Sequence, residues 1–198
     1  MPAKGPTKAS PRTTPKAAAQ APSKAPAKTE GALGPDAAFP RLHDHEHCVS
    51  GAVDAAEALC ARHGVRLTDL RRRVLELVWG SHAPVGAYDL LRRLSQEHRS
   101  AAPPTVYRAL DFLLEQGLIH RIESLNAFVG CAAPDAAHAG QFLICSNCGV
   151  AAELEDPRID RAISRSAAEI GFAVERKTVE LRGLCPGCRK PEADGHGA

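Results

Sequence analysis

The sequence predicts an α+β protein in which a winged helix-turn-helix region is followed by a small α/β unit. Residues 53–116 show helical hydrophobic periodicity, and two short apolar stretches, at 118–123 and 127–131, follow them with a turn sequence between. After Pro134 the pattern changes to two strands, a helix and a third strand. The composition, 44% hydrophobic and 24% charged, is ordinary for a globular protein, and no apolar run is long enough to cross a membrane.

The N-terminal tail has a different character. Residues 1–40 contain eight prolines and almost no large apolar side chain, and residues 1–30 carry five Lys and one Arg against one Glu. Such a segment cannot bury enough surface to offset its ordering entropy, so we expect it to be disordered. It is either a solvated linker or a loose arm that contacts phosphates. An organelle transit peptide is a further alternative, but a single Arg and many prolines argue against an amphipathic helix.

A cluster of potential metal ligands ends this tail. It contains His43, His45, His47 and Cys48. His-rich tracts in flexible segments often bind metal, which makes an accessory metal site one interpretation. An incidental polar stretch before the first helix is the other. We expect the disordered region to extend over residues 1–49.

Three helices are predicted next. The first, over 53–63, places Cys60 on its apolar face as a small core residue. Thr68 can cap the second, whose apolar face excludes the arginines at 71–73, so we expect these to remain in solvent or near phosphate. The third helix spans about residues 87–98.

A fourth helix follows a Pro-Pro break and ends at about Gln116, with Gly117 as its cap. Pro104 suits the first turn, because its missing N–H has no helical partner there in any case. In a winged helix, exposed residues at the start of this helix, here Tyr107 and Arg108, meet the major groove of DNA. The alternative is the surface of a generic helical bundle.

The C-terminal unit is predicted to contain strands at 141–146 and 150–154, a helix at 157–170 and an alternating strand at 172–184. A unit of about fifty residues has a core that is too small for it to be comfortably stable alone. We therefore expect a metal clip or a partner subunit to complete it.

Four of the seven cysteines form two Cys-x-x-Cys pairs, Cys145 with Cys148 and Cys185 with Cys188. Without an export signal, thiolate metal ligands are favoured over disulfides. Each pair can place two thiolates on one ion, and four thiolates give the closed shell of structural zinc. The alternative is two redox-active or free-thiol pairs.

A second set of candidate ligands comprises His120, Cys131, His138 and Glu153. Two imidazoles, a thiolate and a carboxylate form a mixed shell that zinc accepts, whereas the thiolate disfavours manganese and magnesium. Each residue also has a purely structural interpretation, as a strand end, a core residue, a loop residue and a strand surface. Spacing alone does not decide between the two.

Residues 103–110, Pro-Pro-Thr-Val-Tyr-Arg-Ala-Leu, are followed by Leu-Glu-Gln-Gly at 114–117 and later by the two cysteine pairs. This combination resembles the ferric uptake regulator superfamily, and most closely its zinc-responsive members, over about residues 50–190. The long tail and the His43–Cys48 cluster lie outside the family's common pattern. The run of several histidines that iron-sensing members carry before the first cysteine pair is reduced here to His138.

The resemblance implies a homodimer with a DNA-binding winged helix over 50–131, a hinge over 132–139, a dimerisation domain over 140–190 and a flexible end over 191–198. It also implies roles for residues. The two cysteine pairs match the structural zinc site, and the mixed set matches a regulatory site in the hinge. Four residues match those that approach DNA: Tyr88, Thr105, Tyr107 and Arg108.

The expected function is zinc-responsive repression of zinc-uptake genes in the cytoplasm, by a dimer that binds palindromic double-stranded operator DNA. Two Zn²⁺ ions per subunit, one structural and one regulatory, are its expected cofactors. We expect neither a membrane partner nor a small-molecule substrate, and no enzymatic activity, because four protein ligands leave a zinc ion little room for substrate. An iron- or peroxide-responsive regulator of the same superfamily is the nearest alternative, and a protein-interaction module with structural zinc is another.

Overall fold

The structure, a computed structural model, describes residue 39 and residues 45–97, 102–135 and 140–189. Outside the described residues lie the rest of the predicted tail, which includes His43, the hinge residues 136–139 and the C-terminal end from 190. Four helices come first in the described chain. They are α1 (His45–Arg62), α2 (Asp69–Trp79), α3 (Ala87–Glu97) and α4 (Pro103–Glu115).

The first helix begins at His45, eight residues before the predicted start at Val53. Val49 is half-buried, and Val53 and Ala56 are buried, so the apolar face continues one turn beyond the predicted helix. Glu46 in the first turn also suits the positive end of the helix dipole. The prediction that residues 45–49 belong to a disordered tail is therefore wrong.

The helices pack around one apolar core. Thr68 caps α2 as predicted, with its hydroxyl accepting from the Arg71 N–H at 3.5 Å, and Gly117 follows α4 with the positive φ of +67° that favours glycine. Cys60 is 2% exposed and belongs to the core, also as predicted. The largest side chains in the centre of this core are Leu75, Leu90, Leu94, Leu110 and Leu113.

The three arginines of α2 do not remain in solvent as predicted. Arg71 lies over the Phe112 ring of α4, at 3.5 Å from its centroid. Arg72 pairs with Glu57 of α1. Arg73 pairs with Glu76 of its own helix at 2.8 Å and with Glu97 of α3. Because α2 has neighbours on both sides, positions off its apolar face still meet other helices. These cations link α2 to each of the three other helices of the bundle.

The predicted hairpin is present as a three-stranded sheet. Strands β2 (Ile119–Ile122) and β3 (Ala127–Gly130) pair antiparallel, and a 3-10 turn, Glu123–Leu125, joins them. The sequence did not reveal β1 (Val85–Gly86), a two-residue strand that pairs with β3 on its other side. We call β2, the turn and β3 the wing.

The C-terminal unit contains β4 (Gly140–Cys145), β5 (Ala151–Glu153), α5 (Pro157–Glu169) and β6 (Thr178–Gly183). The sheet order is β5-β4-β6, with β4 antiparallel to β5 and parallel to β6. The last strand is shorter than the predicted 172–184, because it pairs with β4 only from Thr178 to Gly183. The α+β fold class is confirmed.

Five large apolar side chains of this unit are exposed. No residue of α5 is buried. The exposed large apolar side chains here are Ile163, Ile170, Phe172, Leu181 and Leu184. Among the helices that the structure describes, none combines the length and apolar character needed to cross a bilayer.

Candidate metal centres and DNA-contacting helix

The four cysteines of the two pairs converge at one end of the C-terminal sheet. Cys145 ends β4, and the parallel register places it beside Gly183, two residues before Cys185. One sulfur from each of Cys145, Cys148, Cys185 and Cys188 lies within 4.8 Å of the others. The Cys148 and Cys185 Sγ atoms are 3.7 Å apart. The arrangement follows directly from the sheet topology, which brings the ends of β4 and β6 together.

Hydrogen bonds make this cluster ready for a cation. The N–H groups of Cys148 and Cys185 lower the pKa of Cys145 to about 6, the latter by donating to its Sγ at 3.4 Å. The Val150 N–H lowers the pKa of Cys148, but the neighbouring sulfurs outweigh it and raise that pKa to about 11. Four sulfurs this close repel one another once ionised. A tetrahedral, thiolate-loving ion such as Zn²⁺ fits this donor set.

The second group joins the wing to the C-terminal sheet. His120 lies on β2, Cys131 directly follows β3, and Glu153 ends β5; their ligand atoms lie within 4.8 Å of one another. The His120 Nε2 atom is 3.0 Å from the Glu153 Oε1 atom. The fourth predicted ligand, His138, lies outside the described residues. Three of the four candidates are thus brought together by the fold.

Burial gives this group its electrostatic character. Cys131 is 3% exposed, and burial, with the nearby charge of Glu153, raises the pKa of its thiol to about 12. A carboxylate and a buried thiol side by side favour a cation that neutralises both. An imidazole, a thiolate and a carboxylate suit Zn²⁺, which accepts all three ligand types.

A tight packing contact positions Cys131. A Cβ atom added at Gly130 would lie 2.2 Å from the Cε2 atom of Trp79, the single tryptophan of the chain. The Cys131 N–H donates to the Leu118 carbonyl at 3.1 Å, so the residue continues the hairpin beyond its last strand pair. The indole ring of α2 therefore fixes the backbone next to the thiol.

Only two side chains of the predicted accessory cluster belong to the described part of the chain. His43 lies outside it, and the side chain of His45 is not described. His47 and Cys48 fall in the first turn of α1. Neither belongs to a group of three or more potential ligands among the described residues.

The residues predicted to approach DNA lie on two helices. Tyr88, in the first turn of α3, is 81% exposed, and Tyr107 of α4 is 47% exposed. Arg108 is exposed and Thr105 is half-buried in the first turns of α4. The opposite face of α4 carries buried Val106, Ala109 and Leu110, so the helix presents its polar side outward.

Sequence reasoning missed a second contact between the wing and the C-terminal sheet. The Glu180 carboxylate accepts from the Glu123 N–H at 2.6 Å and from the Ser124 N–H at 3.2 Å. Partial burial raises the pKa of Glu180, but the hydrogen bonds from Ser124 and Glu123 outweigh burial and hold it below its ordinary value. Arg176 donates to the Glu123 carboxylate at 3.0 Å. No local pattern indicates a contact between segments 56 residues apart.

Comparisons with known proteins agree with this geometry. The model of the "Ferric uptake regulator family" matches residues 62–182. The Zinc uptake regulation protein of Escherichia coli (strain K12) is 42% identical over 142 residues, which cover 71% of this chain and 83% of that protein. The Peroxide operon regulator of Bacillus subtilis (strain 168) is 30% identical over 131 residues, 65% of this chain and 88% of that protein.

Two solved structures have a similar fold. A zinc uptake regulator complexed with zinc and DNA is 40% identical, with a TM-score of 0.68 over 71% of this chain and 94% of that chain. The crystal structure of holo XcZur is 45% identical, with a TM-score of 0.64 over 70% of this chain and 96% of that chain. Together with the matched family model, they confirm the resemblance found in the sequence: the chain belongs to the ferric uptake regulator family.

Proposed function

We propose that this chain is a zinc-responsive transcriptional repressor, which binds palindromic operator DNA as a zinc-loaded homodimer and represses zinc-uptake genes in the cytoplasm. Its winged helix extends over 50–131, its hinge over 132–139 and its dimerisation region over 140–190. The family consists of transcriptional regulators, and the zinc uptake regulator from E. coli is among its similar members. The proposal makes the chain a regulator and not a catalyst.

The observation that carries the proposal is the meeting of His120 and Glu153 beside Cys131. The first comes from the wing and the second from the C-terminal sheet, and their nearest atoms are 3.0 Å apart. One ion bound to these residues, with His138 as the fourth ligand, joins the two parts of the chain. We assign this group the regulatory zinc.

The four-cysteine cluster takes the second Zn²⁺ of each subunit. Its sulfurs come from the ends of β4 and β6 and lie within bonding reach of one ion. A closed shell of four thiolates leaves no position for substrate or water, so its role is structural. Because the cysteines reach a common ion only in the folded unit, metal binding stabilises that unit.

The exposed apolar side chains of the C-terminal unit support the homodimer. The exposed Phe172 and Ile170 lie beside a helix without a buried residue, and β6 is an edge strand. An edge strand with apolar neighbours is a ready surface for another chain. A two-fold dimer built on this face presents two α4 helices to the two halves of a palindrome.

DNA binding in the proposal uses the exposed polar side of α4. Arg108 makes a bidentate contact with guanine in the major groove, with Thr105 and Tyr107 beside it and Tyr88 approaching from α3. A zinc uptake regulator with this fold has been solved with zinc and DNA. That likeness, at 40% identity, supports the same mode for this chain.

Zinc acts by restricting the wing. Without the regulatory ion, the winged helices sample many orientations, and only a fraction match the operator spacing. The apparent affinity for DNA is the intrinsic affinity multiplied by that fraction. By reciprocity, operator DNA tightens zinc binding by the same factor.

The test is an operator-binding titration at buffered free zinc with the Cys131→Ser variant. We expect a folded dimer that keeps its structural zinc and no longer responds to added zinc. Cys60→Ser makes the same chemical change at a buried helix position outside both clusters, and it should keep the zinc response. Zinc-dependent operator binding by Cys131→Ser would contradict the assignment of the regulatory site.

The second candidate is an iron- or peroxide-responsive regulator, which the likeness to the Bacillus subtilis peroxide operon regulator favours. The buried thiol at the mixed site argues for zinc over manganese, since thiolates bind hard ions such as Mn²⁺ poorly. Parallel titrations with Fe²⁺ and Mn²⁺ distinguish the two. Operator binding that responds to iron and not to zinc would replace the first proposal with the second.

A further inference from the structure

We propose that Glu180 anchors the wing to the C-terminal sheet independently of metal, at the opposite end of β2 from the regulatory zinc ligands, and so sets the zinc concentration at which the protein responds. The inference rests on the proposed function, because it assigns a role within zinc control of DNA binding. It makes Glu180 a positioning residue, which acts through the wing and touches neither zinc nor DNA.

The sheet register places the two anchors in one row. Phe142 of β4 is paired with Glu153 of β5 on one side and with Glu180 of β6 on the other. Side chains of directly paired residues point to the same face of a sheet. Glu153 and Glu180 therefore flank the Phe142 ring on the face that the wing covers.

The wing contacts this row at three points. His120 lies beside Glu153, and its ring centroid is 5.3 Å from that of Phe142. Ile122, fully buried, belongs to the same apolar cluster as Phe142. The turn that follows then donates two N–H groups to Glu180. Strand β2 thus crosses the row from one carboxylate to the other.

The length of the wing segment matches the separation of the two carboxylates that it contacts. A strand advances about 3.3 Å per residue, so the chain from His120 to Glu123 covers about 10 Å. Neighbouring strands lie about 4.8 Å apart, so Glu153 and Glu180, two strands apart, are separated by about 10 Å as well. The wing therefore reaches both carboxylates without distortion, and occupation of one end favours the other.

Chemistry separates the two ends. At Glu153 the neighbours are an imidazole and a buried thiol, which suit a metal ion. At Glu180 the donors are backbone N–H groups, and Arg176 adds an ion pair to the carboxylate of Glu123. These bonds form without metal, because a carboxylate that accepts backbone N–H groups needs no further charge.

This second anchor has a consequence for metal response. With the turn already held, the regulatory ion has to order only the His120 end of β2, and less entropy is lost on binding. When Glu180 no longer holds the turn, the same ion has to order the whole wing. A higher zinc concentration is then needed for the same operator affinity.

The first readout is amide exchange at Glu123 and Ser124 in the full chain with its structural zinc retained. In the wild-type chain without its regulatory ion and in Cys131→Ser, we expect these amides to be equally protected. Glu180→Gln should speed their exchange roughly three- to tenfold in both backgrounds, since it weakens charge-assisted hydrogen bonds on a partly exposed surface. Unprotected amides in the wild-type chain, or loss of protection in Cys131→Ser alone, would overturn a metal-independent anchor.

The second readout is operator binding at buffered free zinc. Glu180→Gln should move the zinc midpoint upward roughly three- to tenfold and leave the affinity at saturating zinc unchanged. Glu175→Gln removes the same charge from an exposed position in the same segment and should not move the midpoint. A Glu180→Gln midpoint equal to that of the wild type refutes the role in zinc response.

The two readouts also separate this inference from the proposed function. Amide exchange tests the anchor whether or not the protein responds to zinc. A wild-type chain whose operator binding ignores zinc would remove the proposed function and with it the role of Glu180 in metal response. Unprotected turn amides in a zinc-responsive wild-type chain would remove the anchor alone.

Discussion

Gly130→Ala tests how the helical bundle positions the Cys131 thiol of the proposed regulatory site. The new Cβ atom would lie 2.2 Å from the Cε2 atom of Trp79 and 2.7 Å from its Cδ2 atom. Ordinary contact begins at 3.4 Å, so the indole ring or β3 has to retreat by about 1.2 Å. Overpacking of this kind costs about 2 kcal/mol. For a chain of this size we expect the Tm to fall by roughly 4 to 8 °C.

The assay is thermal unfolding followed by tryptophan fluorescence, which reports only Trp79 because the chain has one tryptophan. A displaced ring gains contact with water, so its emission in the folded state should shift to longer wavelength. Gly51→Ala is the matched control, since a Cβ atom there meets nothing within 4 Å on helix α1. It should raise stability by about 0.5–1 kcal/mol.

A Gly→Ala substitution is thus expected to lower stability at Gly130 and to raise it at Gly51. Since β3 leads directly into Cys131, Gly130→Ala should also weaken zinc binding at the regulatory site. Equal melting temperatures and unchanged emission for Gly130→Ala would refute the packing argument. The backbone beside the thiol would then have another support.

Three further predictions concern other parts of the chain. Cys185→Ser should remove the structural zinc and unfold the C-terminal unit, measured by zinc content and circular dichroism, whereas Cys60→Ser should retain one structural ion per subunit. Arg108→Ala should lose about 1–3 kcal/mol of discrimination between the operator and mutated operators, measured by fluorescence anisotropy. Arg93→Ala, on the exposed side of α3, should keep this discrimination. An equal loss of affinity on all sequences would make Arg108 a phosphate contact. Asp156 caps α5, and the Arg158 guanidinium and N–H lower its pKa to about 2. The stabilisation by this carboxylate is therefore complete above its unfolded pKa of about 3.9 and is lost only as the pH falls towards the folded value. The Tm difference between wild type and Asp156→Ala should stay constant from about pH 8 to 5, and a difference that changes within this window would contradict the low pKa.

Local patterns predicted the elements whose determinants are local. Thr68 caps α2 and Gly117 follows α4 because each residue type favours that backbone position within a few residues. The cysteine pairs could likewise be identified, since each pair is a short motif with one chemical use. The start of α1 was misplaced because its first turn is polar and only Val49 continues the apolar face.

Contacts set by the fold could not be predicted in this way. The two-residue strand β1 exists only because β3 offers it an edge. The arginines of α2 could be placed off its apolar face, but their carboxylate and aromatic partners lie on other helices. The mixed site was predicted as a set of residues, yet spacing alone left each member with a structural alternative. Its geometry depends on where β2 crosses the C-terminal sheet.

The lack of buried residues in α5 lowers the stability of a single subunit. A chain that leaves Ile170 and Phe172 in water and buries no residue of α5 lacks part of the interior that a domain of this size needs. Its melting temperature should rise with protein concentration, because association supplies the missing contacts by mass action. Under the proposed homodimer, chains at low abundance are therefore the ones most exposed to proteolysis, and the amount of active dimer should rise more steeply than linearly with synthesis.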